Sequence, residues 1–172
     1  MYVVQAPDPR LRFKTKPVKK INQGLLNTIK EMIKTTKSFV DPEGVGLAST
    51  QIGNNEQFFI MKTTDNTFKA VFNPKIFKFS KKTKLYLEGC LSIPNYYAEI
   101  TRFLTVTVSY LDEKGNEVKE RLTGIPAWIF QHEYDHLQGK LFMDLALEQK
   151  SRVFKVVGKD RTGADVFEEV TI

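Results

Sequence analysis

Cysteine and histidine are scarce in this chain: its 172 residues include one cysteine and two histidines. A lone cysteine excludes an internal disulfide framework and fits a reducing compartment. No run of 18 apolar residues occurs, so we expect no membrane span. The N-terminus also lacks the apolar segment of a secretory signal. The strong nitrogen and sulfur ligands for a borderline transition metal are therefore limited to Cys90, His132 and His136.

The composition is that of a folded domain. Hydrophobic residues make up 41% and aromatic residues 12%, and the length suits one core, so we expect a single domain over residues 1–172. The formal net charge is +6. A solvated basic surface and electrostatic attraction to ribosomal RNA both remain open, and the absence of a nucleic-acid-binding motif argues against sequence-specific binding. The lysines are scattered, with small groups at Lys14, Lys16, Lys19, Lys20, Lys81, Lys82 and Lys84.

Hydrophobic periodicity predicts an α+β fold. We expect mixed or antiparallel sheets around one central helix. Residues 22–39 have the apolar stripe of a helix, with Asn22 as a possible N-cap. A second helix is predicted over about 125–137, and a short one near 144–151. Strands are predicted at 57–62, 69–73, 84–88, 104–111, 117–122, 152–157 and 165–170.

The second helix carries the sharper chemical signal, the segment His132-Glu133-Tyr134-Asp135-His136. Residues four apart lie on one helical face, so His132 and His136 can bind a single ion. Glu133 follows the first histidine and can reach a water at the metal without being a ligand. Taken alone, the pattern is also compatible with two surface histidines on an amphipathic helix.

Two further segments accompany the helix. Glu88-Gly89-Cys90-Leu91-Ser92 contains the only thiol, and residues 44–51 form a stretch rich in small residues that ends in Gln51. Glycine lets backbone approach a ligand closely, and Gln51 can donate an amide N–H to a polarised carbonyl oxygen. An ordinary glycine-containing loop is an equal alternative for residues 44–51 alone. A phosphate-binding loop is disfavoured because the Gly-Lys-Ser/Thr ending is absent.

Together and in this order, the three segments resemble the motifs of peptide deformylases. The family pattern is Gly-x-Gly-Leu-Ala-x-x-Gln, then Glu-Gly-Cys-Leu-Ser, then His-Glu-x-x-His, matched here at 44–51, 88–92 and 132–136. Residues 6–12 also resemble the N-terminal segment of that family. The resemblance extends from near residue 5 to about 145.

The resemblance implies hydrolytic removal of the N-formyl group from the starting methionine of nascent polypeptides, with release of formate. It implies a divalent ion, Fe²⁺ in the cell with Zn²⁺, Ni²⁺ or Co²⁺ as substitutes, among which the residues themselves do not choose. Glu133 would carry the proton, and Gln51 with the backbone N–H of Leu91 would stabilise the oxyanion. Glu88 would orient a ligand, an exposed structural glutamate being the alternative. The implied metal ligands are Cys90, His132 and His136.

Helical spacing also proposes a pocket for the methionine side chain, although simple core packing is equally compatible. Trp128 is bulkier than the residue usually found there in the family and would narrow this pocket. Tyr97 stands where many bacterial relatives carry arginine, which leaves open how the peptide beyond methionine is held. The candidate pocket residues are Val45, Gly46, Leu91, Ile125, Trp128 and Ile129.

The resemblance further implies formylmethionyl peptides as partners, with a transient ribosome contact as a possibility. The segment beyond about 150 is not the long basic helix that some bacterial relatives use on the ribosome, which weakens that expectation. The expected location is the bacterial cytoplasm, or an organelle if a transit peptide has been removed.

Two rival functions follow from the same residues. A zincin-type metallopeptidase shares the His-Glu-x-x-His helix but would need a third histidine or glutamate ligand downstream, and no histidine follows His136. A non-catalytic, metal-stabilised module that docks on ribosomes would need neither Glu133 nor Gln51. Both of those residues are present.

Overall fold

The helix predicted to carry the histidine pair is present over Ile125–Leu137 and lies between two β-sheets. The computed structural model describes residues 1–40 and 42–171. Within that part of the chain the helices are α1 Gln23–Lys37, α2 Ile125–Leu137 and α3 Phe142–Gln149. The strands are β1 Gly46–Ala48, β2 Phe58–Lys62, β3 Phe68–Phe79, β4 Thr83–Cys90, β5 Ile93–Phe103, β6 Thr105–Leu111, β7 Glu117–Thr123, β8 Val153–Lys159 and β9 Asp165–Val170.

The two sheets have separate memberships. One has the strand order β1-β2-β3-β6-β7 and the other the order β4-β5-β8-β9, and neighbouring strands pair antiparallel. Hairpin connections link most neighbours, which is how short loops join antiparallel strands. The predicted α+β class is confirmed.

The core forms where α2 lies across the five-stranded sheet. Ala127, Phe130 and Leu137 of the helix are buried against Phe59 and Val108 of the sheet. Fully burying a side chain of this size contributes about 1.5–3 kcal/mol, so this contact holds α2 firmly. The helix that carries the candidate ligands is thus among the most deeply buried elements.

Helix α1 follows its sequence signals. The Asn22 side chain accepts a hydrogen bond from the backbone N–H of Leu25 (2.9 Å), as an N-cap residue does. Ile29 and Met32 are buried against a second core cluster, which confirms the packing face predicted for this helix. Among the described residues, no helix combines the length and the apolar character needed to cross a bilayer.

The structure differs from the strand predictions at β3 and β5. The third strand does not end at 73 but continues to Phe79 through a register irregularity that follows Asn73, whose φ is +50°. No strand was predicted over Ile93–Phe103, yet β5 lies there. Its core-facing positions include Ala98 and the buried Arg102, so its alternation between polar and apolar residues is poor.

Candidate metal centre

Helix α2 places two imidazole rings side by side. Gly124 precedes the helix and Pro126 stands at its start, where the missing N–H costs nothing. The rings of His132 and His136 lie one turn apart, with centroids separated by 5.1 Å. Both rings face the end of β4.

The thiol reaches this pair because β4 ends in an irregular pairing. The register of β4 with β5 shifts between Gly89 and Cys90, so Cys90 pairs with Ile93 rather than continuing the ladder. Such a bulge bends the strand and redirects a side chain. As a result, the Cys90 Sγ lies 3.3 Å from the His136 Nε2.

The three side chains fit a metal ion by both geometry and chemistry. Donor atoms of Cys90, His132 and His136 all lie within 4.8 Å of one another. Zinc-like bond lengths of about 2.0–2.3 Å in a tetrahedral site imply donors roughly 3.5 Å apart, so only small adjustments would be needed. Three protein donors leave a fourth position open, which is the arrangement of catalytic rather than structural sites.

The outer nitrogen of His132 is fixed by a buried carboxylate. Its Nδ1 lies 3.0 Å from the Glu88 Oε2, which leaves Nε2 to face the other two donors. Glu88 is fully buried, so it is not the exposed structural glutamate that was the alternative. A carboxylate behind a ligating histidine fixes the orientation and raises the basicity of the ring.

Glu88 itself is held by three neighbouring side chains through four hydrogen bonds. Arg102 donates to both carboxylate oxygens (2.7 and 2.9 Å), the Trp128 indole N–H donates to Oε1 (2.8 Å), and His132 meets Oε2. Burial alone raises the pKa of Glu88, but the hydrogen bonds from Arg102 and His132, together with the Arg102 charge, outweigh burial and lower it to about 2. Arg102 also contacts Asp135 at 2.5 Å. The carboxylate therefore stays ionised behind the histidine.

The surroundings of Glu133 differ from those of Glu88. It is 3% exposed, and its Oε2 has no hydrogen-bond partner within the described structure. Burial raises its pKa to about 7, which suits a group that takes and returns a proton near neutral pH. Gly46 packs directly on it, since a Cβ at position 46 would overlap the Glu133 carboxylate. The absence of a side chain at position 46 is what leaves room for Glu133.

Gln51 extends its amide toward the thiol. Its Oε1 accepts a hydrogen bond from the Ala48 backbone N–H (2.8 Å), and its Nε2 donates to the Ser92 Oγ (3.1 Å) and lies 3.4 Å from the Cys90 Sγ. An ordinary glycine-containing loop was the alternative for residues 44–51, but most of this segment is regular: β1 is followed by a short 3-10 helix over Ser49–Ile52. Regular structure therefore holds this donor beside the candidate ligands.

A small cavity of about 150 Å³ opens beside these groups. Five of the six candidate pocket residues line it: Val45, Gly46, Leu91, Trp128 and Ile129. The expectation for Ile125 was wrong, because this side chain is 60% exposed and is not part of the lining. Ile125 is the first residue of α2, two turns before His132, and this places it beyond the mouth of the cavity.

Sequence reasoning missed three contributors to the site. Arg102 gave no signal because β5 was not recognised, although an arginine at a core-facing strand position implies a buried partner. Leu87 lines the cavity, and Tyr97, noted only as a departure from the family pattern, lines it as well. Placing these two residues beside the cavity required the pairing of β4 with β5, which the sequence did not reveal.

The fold and the candidate site together are typical of a metallohydrolase. The sequence model of the family described as Polypeptide deformylase matches residues 1–152. A peptide deformylase of Thermotoga neapolitana is 44% identical over 137 residues, covering 80% of this chain and 81% of the relative. A peptide deformylase of Chromohalobacter salexigens is 36% identical over 160 residues, covering 91% and 92%.

Solved structures agree with these matches. The crystal structure of peptide deformylase from Thermotoga maritima has a TM-score of 0.78 at 41% identity, covering 84% of this chain and 97% of that one. A plant peptide deformylase has a TM-score of 0.80 at 36% identity, covering 87% and 82%. The chain belongs to the polypeptide deformylase family. It is a metalloenzyme that hydrolyses the N-formyl group of nascent polypeptides, and the matches favour neither a zincin-type peptidase nor a non-catalytic module.

Proposed function

We propose that Cys90, His132 and His136 hold one divalent metal ion and that Glu133 is the proton carrier of the deformylation reaction. The observation that carries this proposal is the convergence of three donor atoms beside a buried carboxylate without a hydrogen-bond partner. When bound, the metal would polarise the formyl carbonyl and lower the pKa of the attacking water. The protein's own residues perform the remaining steps.

The proton moves through Glu133. Its ionised form takes a proton from the attacking water, and its protonated form gives that proton to the departing amine of methionine. The buried site, which raises the pKa of Glu133 to about 7, makes both states accessible near neutral pH. Formate and the free amino terminus are the products.

Charge that develops on the formyl oxygen needs hydrogen-bond donors. The Gln51 Nε2 points toward Cys90, and its orientation is fixed at the other end of the amide by the Ala48 N–H. The Leu91 backbone follows Cys90 directly and lines the same cavity. Donors that are fixed before the reaction stabilise an oxyanion without reorganisation, and we assign this role to the Gln51 side chain and the Leu91 N–H.

The methionine side chain occupies the small cavity. Val45, Leu91, Trp128 and Ile129 supply apolar walls next to His132 and Glu133. Because Trp128 is held by Glu88 and stacks on Tyr86 (centroids 5.1 Å apart, planes 5° apart), this wall is rigid. A rigid, narrow slot favours an unbranched side chain such as methionine.

Metal identity is tested together with the ligands. We propose Fe²⁺, since a thiolate with two imidazoles is compatible with it, and Zn²⁺, Ni²⁺ or Co²⁺ as substitutes. Protein purified without oxygen should contain about one metal per chain and release formate from a formylmethionyl peptide. Exposure to air should inactivate the iron form faster than a nickel-substituted form; equal half-lives would reject iron-specific oxidation.

His136→Ala tests the ligand set directly. It should lose metal and melt at a lower temperature than the parent, because metal bound to the folded state adds to its stability. Lys140→Ala, an exposed change just after the same helix, serves as the control. Retention of metal by His136→Ala at the parent's level would show that this pair is not the site.

We also propose that residues 1–172 act as one domain and that the enzyme works where formylated chains are made, in the bacterial cytoplasm or an organelle. Support for one domain comes from β8, which pairs with β5 and so joins the C-terminal residues to the sheet that carries Cys90. Ribosome contact stays a prediction based on the net charge of +6. Co-sedimentation with ribosomes that disappears as salt is raised would support it.

A further inference from the structure

The residues that connect β4 to β5 are held by the N-terminal segment of the chain. β4 ends at Cys90 and β5 begins at Ile93, so Leu91 and Ser92 form a two-residue connection outside the strands. Carbonyl groups in such a connection lie outside the strand ladder and need hydrogen-bond donors from elsewhere. The donors come from residues 5 and 6, which lie 86 positions earlier in the sequence.

Both carbonyls of the connection accept a hydrogen bond from this segment. The side-chain Nε2 of Gln5 donates to the Leu91 carbonyl oxygen (2.9 Å), and the backbone N–H of Ala6 donates to the Ser92 carbonyl oxygen (2.9 Å). The Gln5 Nε2 also lies 3.2 Å from the Val3 carbonyl oxygen. The two N–H groups of the Gln5 amide thus each have an acceptor within reach, which fixes the direction of the side chain.

The same segment also holds the residue that supplies the other proposed oxyanion donor. The backbone N–H of Val4 donates to the Gln51 carbonyl oxygen (2.8 Å). Val4 is 1% exposed and packs with Leu11 and Leu141 in a core cluster, so the segment itself is firmly placed. Three consecutive residues therefore contact both of the chain segments that provide the donors, the one at Gln51 and the one at Leu91.

The Leu91 N–H lies between two fixed points of the backbone. On one side, Cys90 pairs with Ile93 after the register shift between β4 and β5. On the other side, Gln5 holds the Leu91 carbonyl. Only the φ and ψ torsions of Leu91 separate its N–H from that carbonyl, so fixing the carbonyl restricts the direction in which the N–H points.

We propose that Gln5 is a positioning residue for the reaction: it holds the Leu91 peptide so that the Leu91 N–H and the Gln51 amide stay aligned on the same formyl oxygen. This inference rests on the proposed function, which assigns those two groups to the oxyanion. Gln5 is not among the residues that line the small cavity, so it acts through Leu91 and not on the substrate. Oxyanion donors are effective when they need no reorganisation, and a shift of about 1 Å at a catalytic group can cost about 10²-fold in rate.

A positioning role differs from a purely structural one in what the loss of the Gln5 amide should change. The backbone N–H groups of Val4 and Ala6 and the buried Val4 side chain anchor the segment without any help from the Gln5 side chain. The segment should therefore stay in place when that side chain is altered. What is lost is the restraint on the Leu91 carbonyl, and the effect should appear in the chemical step.

Three variants test the role, with formate release, metal content and melting temperature measured for each. Gln5→Met keeps the length of the side chain and removes its donors, so kcat should fall about tenfold while KM and metal content stay at the parent's values, because the oxyanion develops only in the transition state. Gln5→Lys keeps a nitrogen donor of similar reach and should recover most of the lost kcat. Tyr2→Ala is the control, since Tyr2 belongs to the same end of the chain, is 71% exposed and should behave like the parent.

The outcomes separate this inference from the proposed function on which it rests. A kcat of Gln5→Met within about twofold of the parent's, or equal losses in Gln5→Met and Gln5→Lys, would overturn the positioning role. A lower melting temperature with an unchanged kcat would likewise overturn it, because the amide would then serve folding alone. A parent-like kcat for Gln51→Ala would instead reject the oxyanion assignment within the proposed function.

Discussion

The four-stranded sheet holds its polar side chains in two contrasting ways. At β4 and β5, Glu88 and Arg102 are 0% and 5% exposed, and their contacts reach His132 and Trp128. At the start of the β8–β9 hairpin, Arg152, which directly precedes β8, forms an ion pair with Glu169 of β9, and both side chains are more than half exposed. The sheet therefore has a fixed end, formed by β4 and β5 beside the candidate metal centre, and an adaptable end, formed by β8 and β9.

The energetics of the two ends differ accordingly. Removing one partner of a buried pair such as Glu88–Arg102 leaves an uncompensated charge and costs about 3–5 kcal/mol. Exposed pairs contribute little, because water and salt screen them. We expect changes at the proposed metal centre to alter catalysis sharply, and changes in the hairpin to leave metal binding undisturbed.

The sharpest test of the fixed end is Glu133→Gln. The change keeps shape and removes the proton carrier, so kcat should fall by about 10²–10⁴ while metal content stays at the parent's level. Metal analysis and formate release measure the two quantities. Glu148→Gln, an exposed change on α3, should behave like the parent. Activity of Glu133→Gln within tenfold of the parent would remove Glu133 from its proposed role.

Gly46→Ala tests the position of the Glu133 carboxylate without changing Glu133 itself. The new methyl group would overlap the Glu133 Oε1, so the carboxylate must move although every proposed metal ligand is intact. A displacement of about 1 Å at a catalytic group can cost about 10²-fold in rate. We expect that loss in kcat with unchanged metal affinity, measured by chelator competition. A parent-like kcat would show that Glu133 is free to shift.

Much of the candidate metal centre was predictable from sequence because its signals are local. The spacing of His132 and His136 on α2 and the helix bounds of 125–137 depend on residues within a few turns. Arg102 was not predictable, since its role depends on β5 lying beside β4 and on a buried carboxylate two strand positions before Cys90. The pairing of β8 with β5 was also beyond sequence reasoning, because the two strands are far apart in the chain. Long-range strand placement is what local patterns do not contain.

Trp128→Phe tests whether the hydrogen bond from Trp128 to Glu88 contributes to metal affinity. Phenylalanine keeps an aromatic ring against Tyr86 but removes the indole N–H that Glu88 accepts at 2.8 Å. Loss of a partner behind a ligating histidine costs about 10–100-fold in metal affinity, and we expect the lower end of that range because Arg102 remains. Chelator competition measures the affinity.

Tyr86→Phe is the matched control for this change. The Tyr86 hydroxyl is buried without a hydrogen-bond partner in the described structure, so its removal keeps the stack and breaks no bond. Its metal affinity should equal that of the parent. If Trp128→Phe and Tyr86→Phe bind metal equally well, the indole N–H has no part in holding the centre.

The smallest expected effect is that of Phe167→Ala at the adaptable end. Phe167 is 43% exposed and packs edge-on against Tyr97, so truncation removes one aromatic contact worth about 1 kcal/mol. For a chain of this size that loss lowers the melting temperature by about 2–4 °C.

Amide exchange should become faster in β8 and β9 while β4 and β5 stay protected, because local opening follows local contacts. Metal affinity should not change, since none of the bonds around Glu88 involves the hairpin. A fall in metal affinity alongside the faster exchange would mean that the hairpin supports the centre through Tyr97, and the two ends of the sheet would then have to be treated as one unit.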